Sequence, residues 1–381
     1  MSNFSRTIEF IKQQFYNKSV VQLHEPVFFG NEKKYLNDTI ESTFVSSVGE
    51  YVTKFEKELS ILTNTKKAVA TVNGTSALQL ALKIAGVKSG DEVITQALTF
   101  VATANAISYL NAAPLFVDVD IDTYGLSPKA LENFLFEYGD LRENGTYNRK
   151  TNRKIAACVP MHSFGFMCKI DQIIKICDKW KIPVVEDAAE ALGSSYKLKS
   201  AGSFGLINSF SFNGNKIITS GGGGAITTND LTLANKAKYL TTTAKIPHKW
   251  NYEHSEIGYN FRMPNLNAAL ACAQLENFNS IKKSKKNLYE DYRIFFKSEG
   301  IKLVDIPKNS EWNYWLMSVV LNNKKERDMF LEETNKNKVY TRPVWELMFN
   351  LPMYKNCQRD NQANAMFLQE RTVNIPSGST K

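Results

Sequence analysis

Two polar residues at the ends of apolar segments carry the clearest chemical information in this sequence. Lys216 ends the run Ser209–Lys216, in which a short apolar stretch leads into a tight turn of small residues, with Gly221–Gly224 close behind. Asp187 follows the apolar pair Val184 and Val185 after one intervening residue, Glu186, and lies about 30 residues before Lys216. A lysine amine can bond to the aldehyde of pyridoxal phosphate, and an aspartate can pair with the pyridine nitrogen. The two residues therefore indicate pyridoxal phosphate chemistry, if the fold brings them together.

Several other residues could either contact a ligand or have a structural role. Asn73–Ser76 precedes a helix, where free backbone N–H groups and hydroxyls suit a phosphate, although an ordinary helix cap would look the same. Ser211 lies close enough to Lys216 to reach the same ligand. Phe100 is either a ring that stacks on a cofactor or a core aromatic residue. His162, which follows a predicted strand, either contacts a substrate or has a structural role.

The elements that must position these residues alternate between strand and helix. Helical spacing occurs at 51–62, 77–85, 100–110, 126–136 and 170–180, and short apolar runs occur at 68–72, 92–95, 115–119, 156–160, 183–186, 208–212 and 225–228. Such alternation predicts an α/β fold whose mostly parallel sheet is flanked by helices on both faces. Ligands of such sheets bind beyond the carboxyl ends of the strands, where Asn73, Asp187 and Lys216 fall.

The pattern changes in the last third of the chain. Long helices are predicted at 264–278 and 280–297, followed by shorter strands and one helix, which is typical of a smaller α+β domain. We expect a large domain over residues 1–245 and a small one over 246–381. The polar stretch Glu137–Lys154 is predicted to be a surface loop.

Composition limits the class of protein. The 381 residues are 43% hydrophobic, and no apolar run reaches the length of about 18 residues that a membrane helix needs. Five cysteines without paired metal spacing indicate free thiols in the cytoplasm and no metal site. The net charge of +9 has two explanations, solvated lysines or a phosphate-bearing substrate. No nucleic-acid-binding motif accompanies the charge, so we expect neither a nucleic-acid nor a membrane partner.

The order and spacing of these segments resemble the DegT/DnrJ/EryC1/StrS family of sugar-nucleotide aminotransferases. The resemblance spans about residues 26–376 and is strongest in six segments: Thr43–Phe55, Asn73–Leu78, Thr99–Ala104, Val184–Gly193, Ser209–Lys216 and Gly258–Ala269. It implies the fold of the pyridoxal phosphate-dependent transferases of fold type I. It also implies an enzyme in which pyridoxal phosphate alternates with pyridoxamine phosphate.

The resemblance also implies a role for each matching residue. Lys216 is the lysine that bonds to the cofactor and moves protons, and Asp187 pairs with the ring nitrogen. The remaining cofactor contacts are implied for Gly74, Thr75, Ser76 and Ser211 at the phosphate, Phe100 on the ring, and Glu190 on the side of the ring hydroxyl. The family often has glutamine where Glu190 stands, so this acid puts the hydroxyl contact in doubt.

Residues further along the chain are implied to complete the site. Asn260 would reach the phosphate of a neighbouring subunit, which implies a homodimer with two shared active sites. Arg262, Arg342 and His162 are expected to bind the nucleotide-sugar substrate.

Four stretches are most similar to the subgroup that aminates C4 of a UDP-linked 4-keto-6-deoxy-N-acetylhexosamine. They are Thr241–Lys245, Pro247–His248, Arg262–Asn265 and Tyr340–Trp345. This implies L-glutamate as amino donor and a 4-amino sugar for surface glycans such as those containing bacillosamine or legionaminic acid. The alternatives are amination at C3, a dTDP- or GDP-linked sugar, a non-catalytic regulator that binds the cofactor, and the related dehydratases, which have histidine in place of Lys216.

Overall fold

The computed structural model describes residues 4–380. Helices occur along the whole of this range, and most begin where the apolar spacing predicts them. They are α1 (Ser5–Gln14), α2 (Glu32–Glu41), α3 (Glu50–Leu62), α4 (Gly74–Ile84), α5 (Val101–Ser108), α6 (Pro128–Tyr138), α7 (Ile170–Lys179), α8 (Leu231–Thr241), α9 (Asn265–Glu276), α10 (Phe278–Ser298), α11 (Lys324–Lys336) and α12 (Ala363–Arg371).

The strands form one large sheet system and several small ones. They are β1 (Lys67–Thr71), β2 (Glu92–Gln96), β3 (Ala113–Val117), β4 (Gly139–Arg142), β5 (Gly145–Asn148), β6 (Ile155–Val159), β7 (Val185–Asp187), β8 (Ser195–Tyr196), β9 (Lys199–Ser200), β10 (Ile207–Ser211), β11 (Gly224–Thr228), β12 (Lys245–Ile246), β13 (Glu253–His254), β14 (Lys302–Leu303), β15 (Ser310–Glu311), β16 (Ser318–Val320), β17 (Arg342–Pro343) and β18 (Thr372–Asn374).

Seven of these strands lie side by side in the order β1-β11-β10-β7-β6-β2-β3. The ladders β1-β11-β10-β7 and β3-β2-β6 are joined by parallel bridges from Cys158 to Val184 and from Met161 to Asp187. Every neighbouring pair is parallel except the two that involve β11. The mostly parallel sheet predicted from the sequence is therefore confirmed, with β11 as its antiparallel member.

Helices cover both faces of this sheet because its strands are apolar on both sides. Successive residues of β1 show the alternation: Ala68 and Ala70 join the larger core, whereas Val69 joins the other. The larger core continues into α3 and its Phe55, while Leu80 of α4 packs in the smaller core. The prediction of helices on both faces is confirmed.

The chain beyond α10 adds a second, antiparallel sheet. Its order is β14-β16-β18-β17, and α11 and α12 pack nearby. Helix α1 packs against α10, with Phe10 stacked on Phe295 at a ring-centroid distance of 3.9 Å. The division at residue 245 stays a prediction.

One expectation about local structure is wrong. Glu137–Lys154 is not simply a loop: it contains the antiparallel hairpin β4-β5, whose Thr146 and Asn148 are buried. Asn148 donates to Glu92 Oε2 at 2.8 Å, so polar side chains here face inward and hide the strand pattern. Among residues 4–380, no helix is both long and apolar enough to cross a membrane.

The core next to Lys216 gives a test of this packing. Phe212 is fully buried and meets Phe55 edge to face at 5.1 Å. We expect Phe212→Ala to lower the free energy of unfolding by about 3 to 5 kcal/mol, because it removes a ring and leaves a cavity. The measurement is the urea midpoint of the cofactor-free protein. Phe136→Ala, at a position that is 80% exposed, is the control and should change stability by less than about 0.5 kcal/mol.

Candidate active site

A cavity of about 590 Å³ opens at the carboxyl edge of the large sheet. Its lining comes from the segments that follow β1, β2, β7 and β10, as parallel sheet geometry predicts, and from residues 315–316 and 342–346. The cavity brings together eight of the residues expected to carry chemistry: Gly74, Thr75, Phe100, Asp187, Glu190, Ser211, Lys216 and Arg342.

Asp187 supplies a buried carboxylate at the end of β7. Oδ2 accepts a hydrogen bond from the Thr103 hydroxyl at 2.8 Å, and Oδ1 accepts from the Ala189 N–H at 3.2 Å. Burial raises the pKa of Asp187, and these hydrogen bonds only partly oppose the rise. A cation in the cavity would therefore be stabilised by this carboxylate and would keep it ionised.

Lys216 approaches the same cavity from the turn after β10. Its N–H donates to the carbonyl of Asn213 at 3.0 Å, which closes the turn. Nζ lies 3.3 Å from Glu190 Oε1 and 4.3 Å from the ring centroid of Trp315. Only 12% of the side chain is exposed, so the amine faces the cavity rather than bulk solvent.

The start of α4 forms a place for an anion. Asn73 caps the helix by accepting from the Ser76 N–H at 2.8 Å, and the first helical bond runs from the Ala77 N–H to the Asn73 carbonyl. The N–H groups of Gly74 and Thr75 come before that bond, and both residues line the cavity. The positive end of the helix and these N–H groups together suit a phosphate.

Two glycines allow the backbone to close around this helix start. A Cβ on Gly74 would lie 2.7 Å from the Ser211 Cβ, and a Cβ on Gly224 would lie 2.4 Å from the Asn73 carbonyl. The end of β10 and the start of β11 can therefore touch the turn after β1. This contact holds the Ser211 side chain beside the free N–H groups.

Aromatic side chains form another part of the wall. Phe100 is 50% exposed within the cavity lining, which favours the stacking role over the core role. Trp345 lies 6.5 Å from Phe100 and stacks on Phe164 at 4.6 Å. Arg342 is exposed at the same side and donates to Asn335 Oδ1 at 3.1 Å.

His162 lies outside this cavity, so the expected substrate contact is not supported by its position. The imidazole is fully buried. Its Nδ1 accepts from the Cys168 N–H at 3.1 Å, so the proton sits on Nε2, which faces Glu186 Oε2 at 2.9 Å. Both ring nitrogens have hydrogen-bond partners within the protein, so the position of His162 favours a structural role.

Three further expected residues do not reach the cavity of this chain. Ser76 is used in the helix cap, and its side chain does not line the cavity. Arg262 Nε donates to Asn260 Oδ1 at 2.9 Å, and Asn260 is exposed at a bridge to Thr242. Their roles toward a cofactor or substrate stay predictions.

The sequence did not assign a role to two residues at the cavity, Thr103 and Trp315. Thr103 contacts Asp187 across 84 residues of chain, and only the packing of α5 against the sheet makes this contact. Trp315 comes from the last third of the chain, where no local pattern indicates that its side chain lines the cavity.

Comparison with known proteins identifies the family. Residues 29–380 match the sequence profile of the DegT/DnrJ/EryC1/StrS aminotransferase family. The chain belongs to this family. The match spans the large sheet, the cavity and the C-terminal sheet, so the resemblance read from six segments is confirmed along nearly the whole chain.

Individual relatives agree with this assignment. EpsN of Bacillus subtilis (strain 168), whose name describes a pyridoxal phosphate-dependent aminotransferase, is 34% identical over 94% of this chain and 91% of its own length. The GDP-perosamine synthase of Escherichia coli O157:H7 is 35% identical over 94% of this chain and 93% of its own. The X-ray structure of an aminotransferase from Psychrobacter cryohalolentis is 27% identical, with a TM-score of 0.81 over 93% of both chains.

This chain is therefore a pyridoxal phosphate-dependent sugar-nucleotide aminotransferase with the fold expected from the sequence. The cavity fits the cofactor in three respects. It offers a lysine amine, a buried carboxylate for which residues 4–380 supply no ion pair within 4 Å, and a helix start closed by Gly74. We propose that Lys216, Asp187, Ser211 and the Gly74–Thr75 N–H groups hold the cofactor.

The close approach at Gly74 gives a test of the phosphate cradle. We expect Gly74→Ala to weaken the binding of pyridoxal phosphate by about tenfold to 100-fold, because the new methyl group would collide with Ser211 and displace the helix start. The dissociation constant is measured by fluorescence titration of the cofactor-free protein. Gly214→Ala adds a methyl group in open space in the Lys216 turn and should bind normally.

Proposed function

We propose that this enzyme transfers an amino group from L-glutamate to C4 of a UDP-linked 4-keto-6-deoxy-N-acetylhexosamine. The observation that carries the reaction type is the presence of Lys216, Asp187 and the open start of α4 in one cavity. The choice of sugar is supported by the four stretches named above, of which Tyr340–Trp345 lies partly at the cavity wall. The product would be a 4-amino sugar for surface glycans of the bacillosamine or legionaminic acid type.

Each residue of the cavity would have a distinct role in the proposed amino transfer. When bound, pyridoxal phosphate withdraws electrons from the carbon that carries the migrating nitrogen. The Asp187 carboxylate holds the proton on the ring nitrogen, which sustains that withdrawal. Lys216 Nζ takes up and returns protons during the transfer. Phe100 and Trp315 cover the site with apolar surface and exclude water from it.

A GDP-linked keto sugar is the second candidate substrate. A specific observation favours it, because the relative from Escherichia coli O157:H7 is named as a GDP-perosamine synthase. A dTDP-linked sugar and amination at C3 are the remaining alternatives. The dehydratase alternative is disfavoured by Lys216, whose amine faces the cavity.

We also propose that two copies of the chain form a homodimer with shared active sites. Large apolar side chains are exposed in the segments on either side of α2, namely Phe28, Phe29, Phe44 and Val48. Exposed clusters of this kind favour a protein contact. Asn260 and Arg262 precede α9, and α2 packs on α9. A second copy of the chain bound to the exposed apolar residues beside α2 would therefore lie close to Asn260 and Arg262.

The substrate is tested by following the absorbance of the bound cofactor. We expect L-glutamate to convert it to the amine form and one member of a panel of UDP-, GDP- and dTDP-linked 4-keto-6-deoxy sugars to convert it back. NMR of the product then locates the new nitrogen, which we expect at C4. A response to the GDP-linked sugar alone would establish the second candidate, and no response to glutamate would contradict the proposed donor.

Lys216 is tested by substitution. We expect Lys216→Ala to lose turnover, measured as 2-oxoglutarate release, and to lose the covalent bond to the cofactor, measured by mass spectrometry after borohydride reduction. Lys197→Ala is the control, because that lysine is exposed and pairs with Asp171 at the surface. Normal turnover in Lys216→Ala would exclude the proposed role.

The shared site is tested at Asn260. We expect Asn260→Ala to weaken cofactor retention by about tenfold to 100-fold, the effect of losing one hydrogen bond to a charged group. Retention is measured by dialysis, and the mass of the assembly by light scattering. Asn337→Ala, at the exposed end of α11, is the control. Unchanged retention in an Asn260→Ala dimer would count against a contribution from the second subunit.

A further inference from the structure

Glu190 stands in an unusual position for a carboxylate. Its side chain is 1% exposed, and Oε1 lies 3.3 Å from Lys216 Nζ. Among the described residues, it is the carboxylate within hydrogen-bonding distance of that amine. Oε2 accepts from the Phe164 N–H at 2.7 Å, and the Glu190 carbonyl accepts from Asn313 Nδ2 at 2.7 Å. The carboxylate is thus held in place from the side opposite to Lys216.

We infer that Glu190 is the proton acceptor and donor for Lys216 when the lysine bonds to the cofactor aldehyde and is released from it. An ammonium group has no free electron pair and cannot attack a carbonyl carbon. Transfer of one proton breaks an Nζ–H bond, forms an Oε1–H bond and leaves the electron pair on Nζ. The reverse transfer restores the ion pair. This inference rests on the proposed role of Lys216.

The surroundings favour such an exchange. Transfer converts an ammonium and a buried carboxylate into two neutral groups, and the burial of Glu190 disfavours its charged form. The charged groups that act on Glu190 are Lys216, which favours its ionised form, and Asp187, which disfavours it. Burial raises the pKa of Glu190 to about 7, so its carboxyl group can take up and release a proton near neutral pH.

The contact between Glu190 and the Phe164 N–H could also have a structural purpose. Phe164 adopts a left-handed conformation with φ of 58°, which a large residue rarely occupies without support from its surroundings. Support comes from Glu190 at its N–H and from Trp312, whose Nε1 donates to its carbonyl at 2.9 Å. A purely structural role for Glu190, as acceptor for this N–H, is therefore the alternative to be tested.

Glu190→Gln separates the two roles, because glutamine keeps an acceptor oxygen for the Phe164 N–H but cannot take the proton. The cofactor-free full chain is mixed rapidly with pyridoxal phosphate, and bonding to Lys216 is followed by absorbance on both sides of pH 7. For the wild type we expect the rate to fall as the pH drops through about 7, where Glu190 becomes protonated. For Glu190→Gln we expect this inflection to vanish and the rate at neutral pH to fall by about 100-fold.

Two further measurements make the test specific. Imidazole added to the buffer should accelerate bonding in Glu190→Gln, because an external base can replace the missing carboxylate, and should leave the wild type unchanged. Infrared spectra of the cofactor-free wild type should show a protonated carboxyl band that disappears as the pH rises through about 7 and that Glu190→Gln lacks. Glu190→Asp, which keeps a carboxyl group, should retain the inflection and serves if the glutamine variant does not fold.

The contrary outcomes are distinct. An unchanged rate and pH profile in Glu190→Gln would assign Glu190 a structural role only. Faster bonding in the variant would mean that the carboxylate acts solely by favouring the charged lysine. Either result overturns the inference. Neither involves a sugar substrate, so amination of the keto sugar by the wild type would still support the proposed function.

Discussion

The burial of three carboxylates within residues 186–190 is the constraint around which this site is organised. A buried charge is costly unless partners compensate for it. Glu186 is compensated most fully: burial alone would raise its pKa, but the contact with His162 and the N–H groups of Gly202 and Gly205 lower it. Asp187 and Glu190 are compensated less, and the pKa of each is raised. The two carboxylates with incomplete compensation are those that line the cavity.

This difference in charge compensation separates Glu186 from Asp187 and Glu190. Glu186 faces away from the cavity, and its hydrogen bonds come from groups of the protein itself. Asp187 and Glu190 face the cavity, where a bound cation or the amine of Lys216 can supply the compensating charge that the backbone does not. Because successive side chains of β7 point to opposite faces, Glu186 points away from the cavity and Asp187 points toward it. Glu190, in the turn after β7, also faces the cavity.

Most of the sheet and much of the site could be predicted from the sequence, because buried parallel strands have plain apolar runs and because strand ends share one edge. Sequence reasoning failed where side chains break those rules. The hairpin β4-β5 buries polar residues such as Asn148 and lacks an apolar alternation. His162 follows a strand end like a site residue, yet its ring turns inward to Glu186. Thr103 and Trp315 depend on packing between distant segments, which no local pattern records.

The late segments that complete the cavity have a consequence for how the enzyme is made. Asn313 donates to the carbonyls of Glu190 and Leu192, and Trp315 Nε1 donates to the Asn215 carbonyl at 2.7 Å. A ribosome releases Lys216 long before it releases these residues, and synthesis proceeds from the N-terminus. For part of its synthesis the nascent chain therefore carries Lys216 without the later side chains that close the cavity around it. The lining of the cavity is complete only after the ribosome has passed residue 374.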